Sequence, residues 1–306
     1  MPDQSTGGQE ARGFALILLS TVTYGTMPIL AKAAYLSGVR TGALLAWRFT
    51  LAALLFALLS RRPAPALRQR LVLWGLGAVF IGNAFAYFTA LKTVPATTVA
   101  LILYTYPVIV TVLSAVTGLE DLTPRRLAAA VLAFGGCALT VGGSFAGGRG
   151  VVLALVSAVF NAVYIVLCSR FAARVPAETA ALHLTQISAL AFVGWALFHG
   201  GLSLPPTAAA WGPVLAIALI CTVVALRAFL AGLARVGPAR AAVVSSLEVL
   251  VTVALAFAFL GERLAPRQWL GAALILGAVA LQYERRPGPT RPGPGPPARD
   301  RASAPA

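Results

Sequence analysis

The sequence predicts an all-α integral membrane protein of ten transmembrane helices, arranged as two inverted five-helix repeats. Three observations carry this reading. Hydrophobic residues make up 59% of the 306 residues and charged ones only 11%, against about 25% charged in globular proteins, an imbalance that no soluble core absorbs. The length has room for about ten spans of ~20 residues with short connections. Residues 91–139 lie over residues 233–281 at one constant offset of 142, with 13 identities in 49 positions. Among these, Glu120/Glu262, Pro124/Pro266, Arg125/Arg267 and Gly135/Gly277 are not the cheap matches of an apolar composition. A duplicated unit with an odd number of spans must point its two copies in opposite directions across the bilayer.

Taken in order, apolar runs near 13–36, 42–60, 71–91, 95–117 and 125–142 form the first copy, and runs near 150–169, 179–198, 212–233, 239–260 and 268–283 the second. The first run follows Asp3 and Glu10 and is too long for the apolar core of a signal peptide, so it stays as an anchor. Arg61-Arg62-Pro63 with Pro65 ends span two, and Lys92 to Pro95 divides span three from span four. Thr123-Pro124 and Gly147-Gly148 bound span five, while Pro205-Pro206, Gly237-Pro238 and Ala265-Pro266 punctuate the second copy. Pro124 and Pro266 suit a first helical turn. The first halves of the copies align at an offset of 137, with Arg12-Gly13 and Ser20 over Arg149-Gly150 and Ser157, so spans one and six correspond. The organisation that follows is a cytoplasmic N-terminal segment 1–12, a first repeat 13–142, a second repeat 150–283, and a tail 284–306. That tail, rich in Pro, Gly and Arg, lacks the apolar content to fold and reads as a disordered cytoplasmic extension.

Charge placement sets the orientation. With the N-terminus inside, the inner segments collect sixteen Arg: Arg12; Arg61, Arg62, Arg68, Arg70; Arg125, Arg126; Arg170, Arg174; Arg235, Arg240; and five in the tail. The outer loops collect six basic residues, Lys32, Arg40, Lys92, Arg149, Arg263 and Arg267, which leaves Arg48 and Arg227 inside spans. This bias places both termini in the cytoplasm. The net charge of +15 is thus the signature of membrane topology, and nucleic-acid binding is not expected. Cys137, Cys168 and Cys221 are odd in number, widely spaced and intramembrane, so neither a disulfide framework nor a metal site is expected, and no cofactor is called for. A usage of 22 Arg against 2 Lys fits a bacterium with a GC-rich genome, and hence a bacterial plasma membrane.

Gly25 and Lys32 in span one, Arg48 in span two, Pro107 in span four, and Leu247-Glu248 followed by Leu260-Gly261-Glu262 at span nine make the chain resemble the drug/metabolite transporter superfamily, specifically its EamA-type ten-span members. Relatives of this type export amino acids, metabolites or toxic compounds, so the resemblance implies export without naming a substrate. The chain departs from the usual pattern at Tyr24, where Trp is common, at Val249, where Pro follows the Glu, and at Leu119-Glu120-Asp121 in the first copy.

The residues themselves point to a midplane site. A charge within a span costs roughly 2.5–3.5 kcal/mol on insertion scales, so Arg48, Arg227 and Glu248 need partners, a wet cavity or a role. Glu248 sits ten residues into the run that begins at residue 239, or ~15 Å along the helix axis, where transporter sites cluster. It is either half of a fixed ion pair that locks helices together or a coupling or substrate-binding carboxylate, with Arg48 or Arg227 in reach. For Arg227, snorkelling to the headgroups is the alternative. Asn83 and Tyr87 in span three, Tyr104 in span four, Asn161 and Tyr164 in span six and Gln186 in span seven supply polar groups at depth; the alternative for each is an interhelical hydrogen bond. Tyr104 and Tyr106 cannot share one helical face, so one of them at most is expected to line the site.

Pro28 and Pro107 are hinge candidates. Gly75, Gly77 and Gly82, with Gly271 and Gly277, are expected to let helices approach. His183 reads as interfacial, Lys32 and Lys92 mark the outer interface, and Glu120 and Glu262 are read as loop-organising pairs beside Arg125 and Arg267.

These features together describe a secondary active transporter of a small metabolite working by alternating access. Its partners are the substrate, the bilayer, and protons or a counter-substrate. No glycine-rich nucleotide loop ending in Lys and Ser/Thr is present, so an ion gradient or exchange supplies the energy. The alternatives are a lipid-headgroup flippase using Arg48 and Arg227, or a membrane enzyme with a polar crevice. Against an enzyme stands the lack of any His/Asp/Glu or Cys/His cluster within the spans.

Overall fold

The computed structural model describes residues 4–60, 65–116, 123–141, 148–172, 175–199, 202–236, 241, 244–245 and 247–282. Its regular elements are all helical, with no strand among the described residues. Span one is two helices, Gln4–Gly25 and Met27–Leu36; span two is Thr41–Leu59; span three Leu67–Ala90; span four again two helices, Ala96–Leu103 and Tyr106–Val116; span five Pro124–Val141. In the second copy, span six is Gly148–Leu167 with a π-turn at Cys168–Ala172, and span seven is Ala177–Phe198. Span eight runs over Trp211–Val236 with a π-helical middle at Leu219–Val224, span nine is Leu247–Leu260 and span ten Pro266–Gln282. The first helix reaches back to Gln4, so the N-terminal segment is continuous with span one where it is described. Arg61-Arg62-Pro63, Glu120, Gly147, Gly237-Pro238 and the tail 284–306 lie outside the described residues.

Among the described residues, six stretches are long and apolar enough to cross a bilayer unaided, and the shorter apolar helices belong to spans four, five and nine. Large apolar side chains cover the outside of the bundle, Leu58 at 80% and Phe198 at 89% exposure among them. Such an apolar exterior is stable only against lipid.

The spans pair as a pseudo-two-fold axis requires. Spans two and seven, four and nine, and five and ten each pack against their own repeat equivalent. Span three packs on span six as span eight packs on span one, and span four on span six as span nine on span one. Glycines fix the register of this symmetry. A methyl on Gly13 would lie 2.7 Å from Val236 Cγ1 and 2.9 Å from Arg235 Cβ, and its counterpart Gly150 abuts Thr93 and Val94, the residues 142 positions earlier.

Gly77 and Gly82 press against Ile187 and Phe160, and the Gly271 carbonyl lies 2.7 Å from where a methyl on Gly136 would stand. Gly75 and Gly277, by contrast, face open space, so close helix approach is not their role. Gly25 seats span one on span nine: an added methyl would come within 2.7 Å of Val251 Cβ, an atom held by its own backbone, and Thr252 Oγ1 donates to the Gly25 carbonyl at 3.1 Å. Gly25→Ala is therefore expected to lower stability by about 1–3 kcal/mol through overpacking. Gly75→Ala should be neutral or stabilising by up to ~1 kcal/mol through helix propensity. Thermal unfolding of the purified variants compares them, and equal midpoints would contradict the packing described.

Candidate functional site

Broken helices position the site. Span one stops at Gly25 and restarts at Met27; Thr26 Oγ1 donates back to the Thr23 carbonyl at 2.7 Å and lies 3.2 Å from Cys221 Sγ of span eight. Pro28 falls in the first turn of the new segment, where its missing N–H removes no helical bond. Span four breaks at Tyr104 and Thr105, with the Thr105 N–H returning to the Ile102 carbonyl at 3.1 Å and the Val108 N–H to the Thr105 carbonyl at 3.1 Å. Pro107 again sits in a restarting first turn. The break changes one expectation: Tyr104 and Tyr106 both line the same cavity, with ring centroids 5.5 Å apart, because the helical rotation that separates i from i+2 is interrupted between them.

That cavity, about 100 Å³, lies where spans one to four meet six, eight and nine. It is smaller than the roughly 300 Å³ at which typical ligand sites begin. A larger hollow of about 300 Å³ lies beside Glu178 and Arg235, where spans six and seven join near the end of span eight. Both side chains are engaged there, Glu178 with Arg227 and Arg235 with the Ala231 carbonyl, so the central cavity is the better site.

Arg48 is 2% exposed. Its Nε donates to Thr222 Oγ1 at 2.7 Å, and the guanidinium carbon stands 4.7 Å from the Phe49 ring centroid and 5.1 Å from that of Phe88. The π-helical stretch of span eight makes this contact, since Thr222 Oγ1 donates five residues back, to the Ile217 carbonyl at 2.9 Å. The terminal guanidinium nitrogens have no hydrogen-bond partner among the described residues. A buried, stacked fork of this kind matches a carboxylate.

Glu248 faces the same cavity from span nine, and its partner is Tyr104 rather than an arginine. The Tyr104 hydroxyl lies 2.7 Å from Glu248 Oε2 and 2.6 Å from the Ser245 carbonyl. A phenol has one proton, so it donates to one of these acceptors at a time. Both contacts are hydrogen bonds together only when Glu248 is protonated and donates to the phenol oxygen while the phenol donates to Ser245.

The remaining expected site residues divide. Asn83 and Tyr87 both line the cavity, as do Asn161 and Tyr164. Asn83 is also engaged in protein contacts: its Oδ1 accepts from Ser157 Oγ at 2.7 Å and its Nδ2 donates to Asn161 Oδ1 at 3.2 Å, joining span three to span six. Arg227 is not at the cavity. It is 57% exposed and pairs with Glu178 of span seven, Nη2 to Oε1 at 3.0 Å, because its helical face points out of the bundle. Arg48 and Arg227 therefore do not form one headgroup site. Gln186 is half-buried on span seven, away from the cavity lining. His183 is buried rather than interfacial, with Nδ1 2.9 Å from the Thr179 carbonyl of its own helix.

Glu262 has a different partner from the one expected. Its carboxylate accepts from the Ala96 and Thr97 N–H groups and from Thr97 Oγ1, each at 3.0 Å, and so caps the start of span four. Free N–H groups at a helix start attract a carboxylate. Gly261, at φ +65°, ends span nine and directs Glu262 there. Lys32 Nζ donates to the adjacent Val94 carbonyl at 3.0 Å, and Lys92 Nζ stands 5.9 Å from the Tyr35 ring centroid. The structure adds Ser20, Tyr24, Thr222 and Ser245 to the site. Of these, Ser20 and Tyr24 were within reach of the repeat alignment, whereas nothing in the sequence marks the π-helix that aims Thr222.

A ten-span helical bundle of two inverted repeats around a central cavity that holds an arginine and a carboxyl group is the architecture of a multi-pass membrane transporter. The model of the EamA-like transporter family matches residues 11–142 and again 148–283, and the chain belongs to that family, within the drug/metabolite transporter superfamily. It is 32% identical over 230 residues to the aromatic amino acid exporter YddG of Ancylobacter novellus, covering 70% of this chain and 77% of that one. It is 28% identical over 301 residues to the uncharacterized transporter YcbK of Bacillus subtilis, covering 92% and 96%. A solved crystal structure superposes with a TM-score of 0.62 at 23% identity over 89% of this chain and 96% of that one, a likeness of fold. The protein is thus a transporter in a cell membrane, whose partners are a small molecule and the bilayer.

Proposed function

We propose that the protein is a secondary active exporter of zwitterionic metabolites, amino acids with aromatic side chains foremost, and that its two inverted halves give the central cavity alternating access to the two sides. The observation that carries this reading is the presence, in one cavity, of an arginine fork without a counter-ion among the described residues and a carboxyl group, in a lining that also holds tyrosine and phenylalanine rings. Arg48 suits a carboxylate, Glu248 an ammonium group or a proton, and Tyr87, Phe88, Tyr104 and Tyr106 an aromatic side chain. The named activity of the Ancylobacter relative supports the same substrate class. The test is purified protein in liposomes, loaded with L-phenylalanine or L-tryptophan: counterflow and proton-driven accumulation are expected, with glucose and uridine left untransported. If no amino acid is moved or bound, the substrate class is wrong.

The proposed orientation keeps both termini in the cytoplasm. Single cysteines placed in the tail after Arg285 and in the Arg61 to Arg70 loop should resist an impermeant thiol reagent in intact cells. Cysteines at Gly147 and Pro205 should react. Labelling of the tail from outside would reverse the assignment, which rests on the positive-inside bias.

A further inference from the structure

The repeat packs span three on span six as it packs span eight on span one, and two polar positions of the first pair, Asn83 and Asn161, differ in the second. On one wall, Asn83 of span three accepts from Ser157 Oγ at 2.7 Å and donates to Asn161 Oδ1 at 3.2 Å, satisfying two residues of span six at once. The offset of 137 carries Ser157 onto Ser20 and Asn161 onto Tyr24 in span one, and the offset of 142 carries Asn83 onto Ala225 in span eight. The structure holds this register. Gly13 and Gly150, each seven residues before its serine, abut Arg235/Val236 and Thr93/Val94, which lie ten and eleven residues after Ala225 and Asn83. Span eight is regular α-helix from Ala225 to Val236, beyond its π-helical stretch, so nothing shifts the alignment between them. Where the first copy has an amide, the second has a methyl.

The consequence is visible in the hydrogen bonds. The Ser20 hydroxyl is closed to solvent at 1% exposure, lines the cavity, and has no partner among the described residues. Tyr24, one turn further along the same face, has no side-chain hydrogen bond among the described residues and lines the cavity together with Arg48 and Glu248. Buried hydroxyls are paired in most folded proteins, and one that is not requires an explanation.

We infer that Ser20 and Tyr24 donate to the carboxylate of the substrate beside Arg48, and that Ala225, by withholding the amide that ties up the equivalent wall, leaves them free to do so. This rests on the amino-acid reading above. It gives the two helix pairs different roles: Asn83 ties span three to span six, and span one, packed on span eight, takes the charged end of the ligand, while Tyr164 of span six keeps a further buried cavity hydroxyl with no partner among the described residues.

Calorimetry on the detergent-solubilised full chain, with L-phenylalanine and with phenethylamine, which lacks the carboxylate, tests the inference. Ser20→Ala and Tyr24→Phe should each weaken L-phenylalanine binding about tenfold or more, the loss of a hydrogen bond to a charged group, and leave phenethylamine within about twofold. Without ligand, Ser20→Ala should keep or raise the thermal midpoint, because no protein bond is lost, whereas Ser157→Ala should lower it. Ala225→Asn should weaken L-phenylalanine binding while both hydroxyls remain, by giving them a protein partner; should that larger side chain prevent folding, Ser20→Ala carries the test alone. Wild-type protein that binds no amino acid removes the reading on which the inference rests. Wild-type protein that binds L-phenylalanine, with Ser20→Ala equal to it or as destabilised as Ser157→Ala, overturns the inference alone.

Discussion

Glu248→Gln is expected to abolish proton-driven accumulation of substrate while leaving exchange of substrate across the membrane. The hydrogen bonds around this residue give the reason. A protonated carboxyl can donate to Tyr104 Oη and leave the phenol free to donate to Ser245, whereas an ionised one competes with the Ser245 carbonyl for the single phenolic proton. A glutamine amide donates as the protonated acid does, so the variant is held in one of the two states that coupling needs and should fold with unchanged yield. Proteoliposome uptake with and without a pH gradient reads the difference. If Glu248 instead holds the substrate ammonium group, the same change weakens amines and spares neutral compounds. A stable Glu248→Gln protein with wild-type uphill transport defeats both functional readings.

Arg48→Met is the other substitution expected to have a large effect: transport of carboxylate-bearing substrates falls below detection while the fold is kept. Removing one partner of a buried ion pair usually destabilises by about 3–5 kcal/mol because it strands the other charge. Arg48 has no counter-ion within bonding distance among the described residues, and Thr222 keeps its bond to the Ile217 carbonyl when the arginine is gone. No group is left stranded, and a desolvated charge is removed, so the thermal midpoint should hold or rise. Arg48→Lys keeps the charge but loses the planar fork and the stacking on Phe49 and Phe88. It should raise KM for carboxylate substrates by roughly tenfold or more, a change of about 1.4 kcal/mol or more, with kcat less affected. A destabilised Arg48→Met protein that still transports would make Arg48 a structural residue.

Within the candidate site, residue spacing decides which side chains share a face wherever the helix is regular. Asn83 and Tyr87, four residues apart, share a face and line one cavity. Tyr104 and Tyr106, two apart, should not, and they do because span four breaks between them. Pro107 marks that a break is present, but not which residues it brings together. Arg227 shows the opposite limit. Its depth in the sequence made it a candidate, yet depth says nothing of rotation about the helix axis, and it faces outward to Glu178. Glu262 was recognisable as a helix-end residue, but its partner lies 165 residues away in span four, a contact that no local pattern records.

Composition and the internal repeat by themselves determined that this chain is a ten-span helical membrane protein of two inverted halves, because apolar runs of membrane length and a duplicated pattern of Glu, Pro, Arg and Gly are properties of residue order alone. Only the tertiary structure decided which polar groups meet and which are left over. Hydrogen-bond satisfaction belongs to pairs of groups on different helices: Ser157 and Ser20 are the same residue at equivalent positions, and what separates them is whether the neighbouring helix presents Asn83 or Ala225.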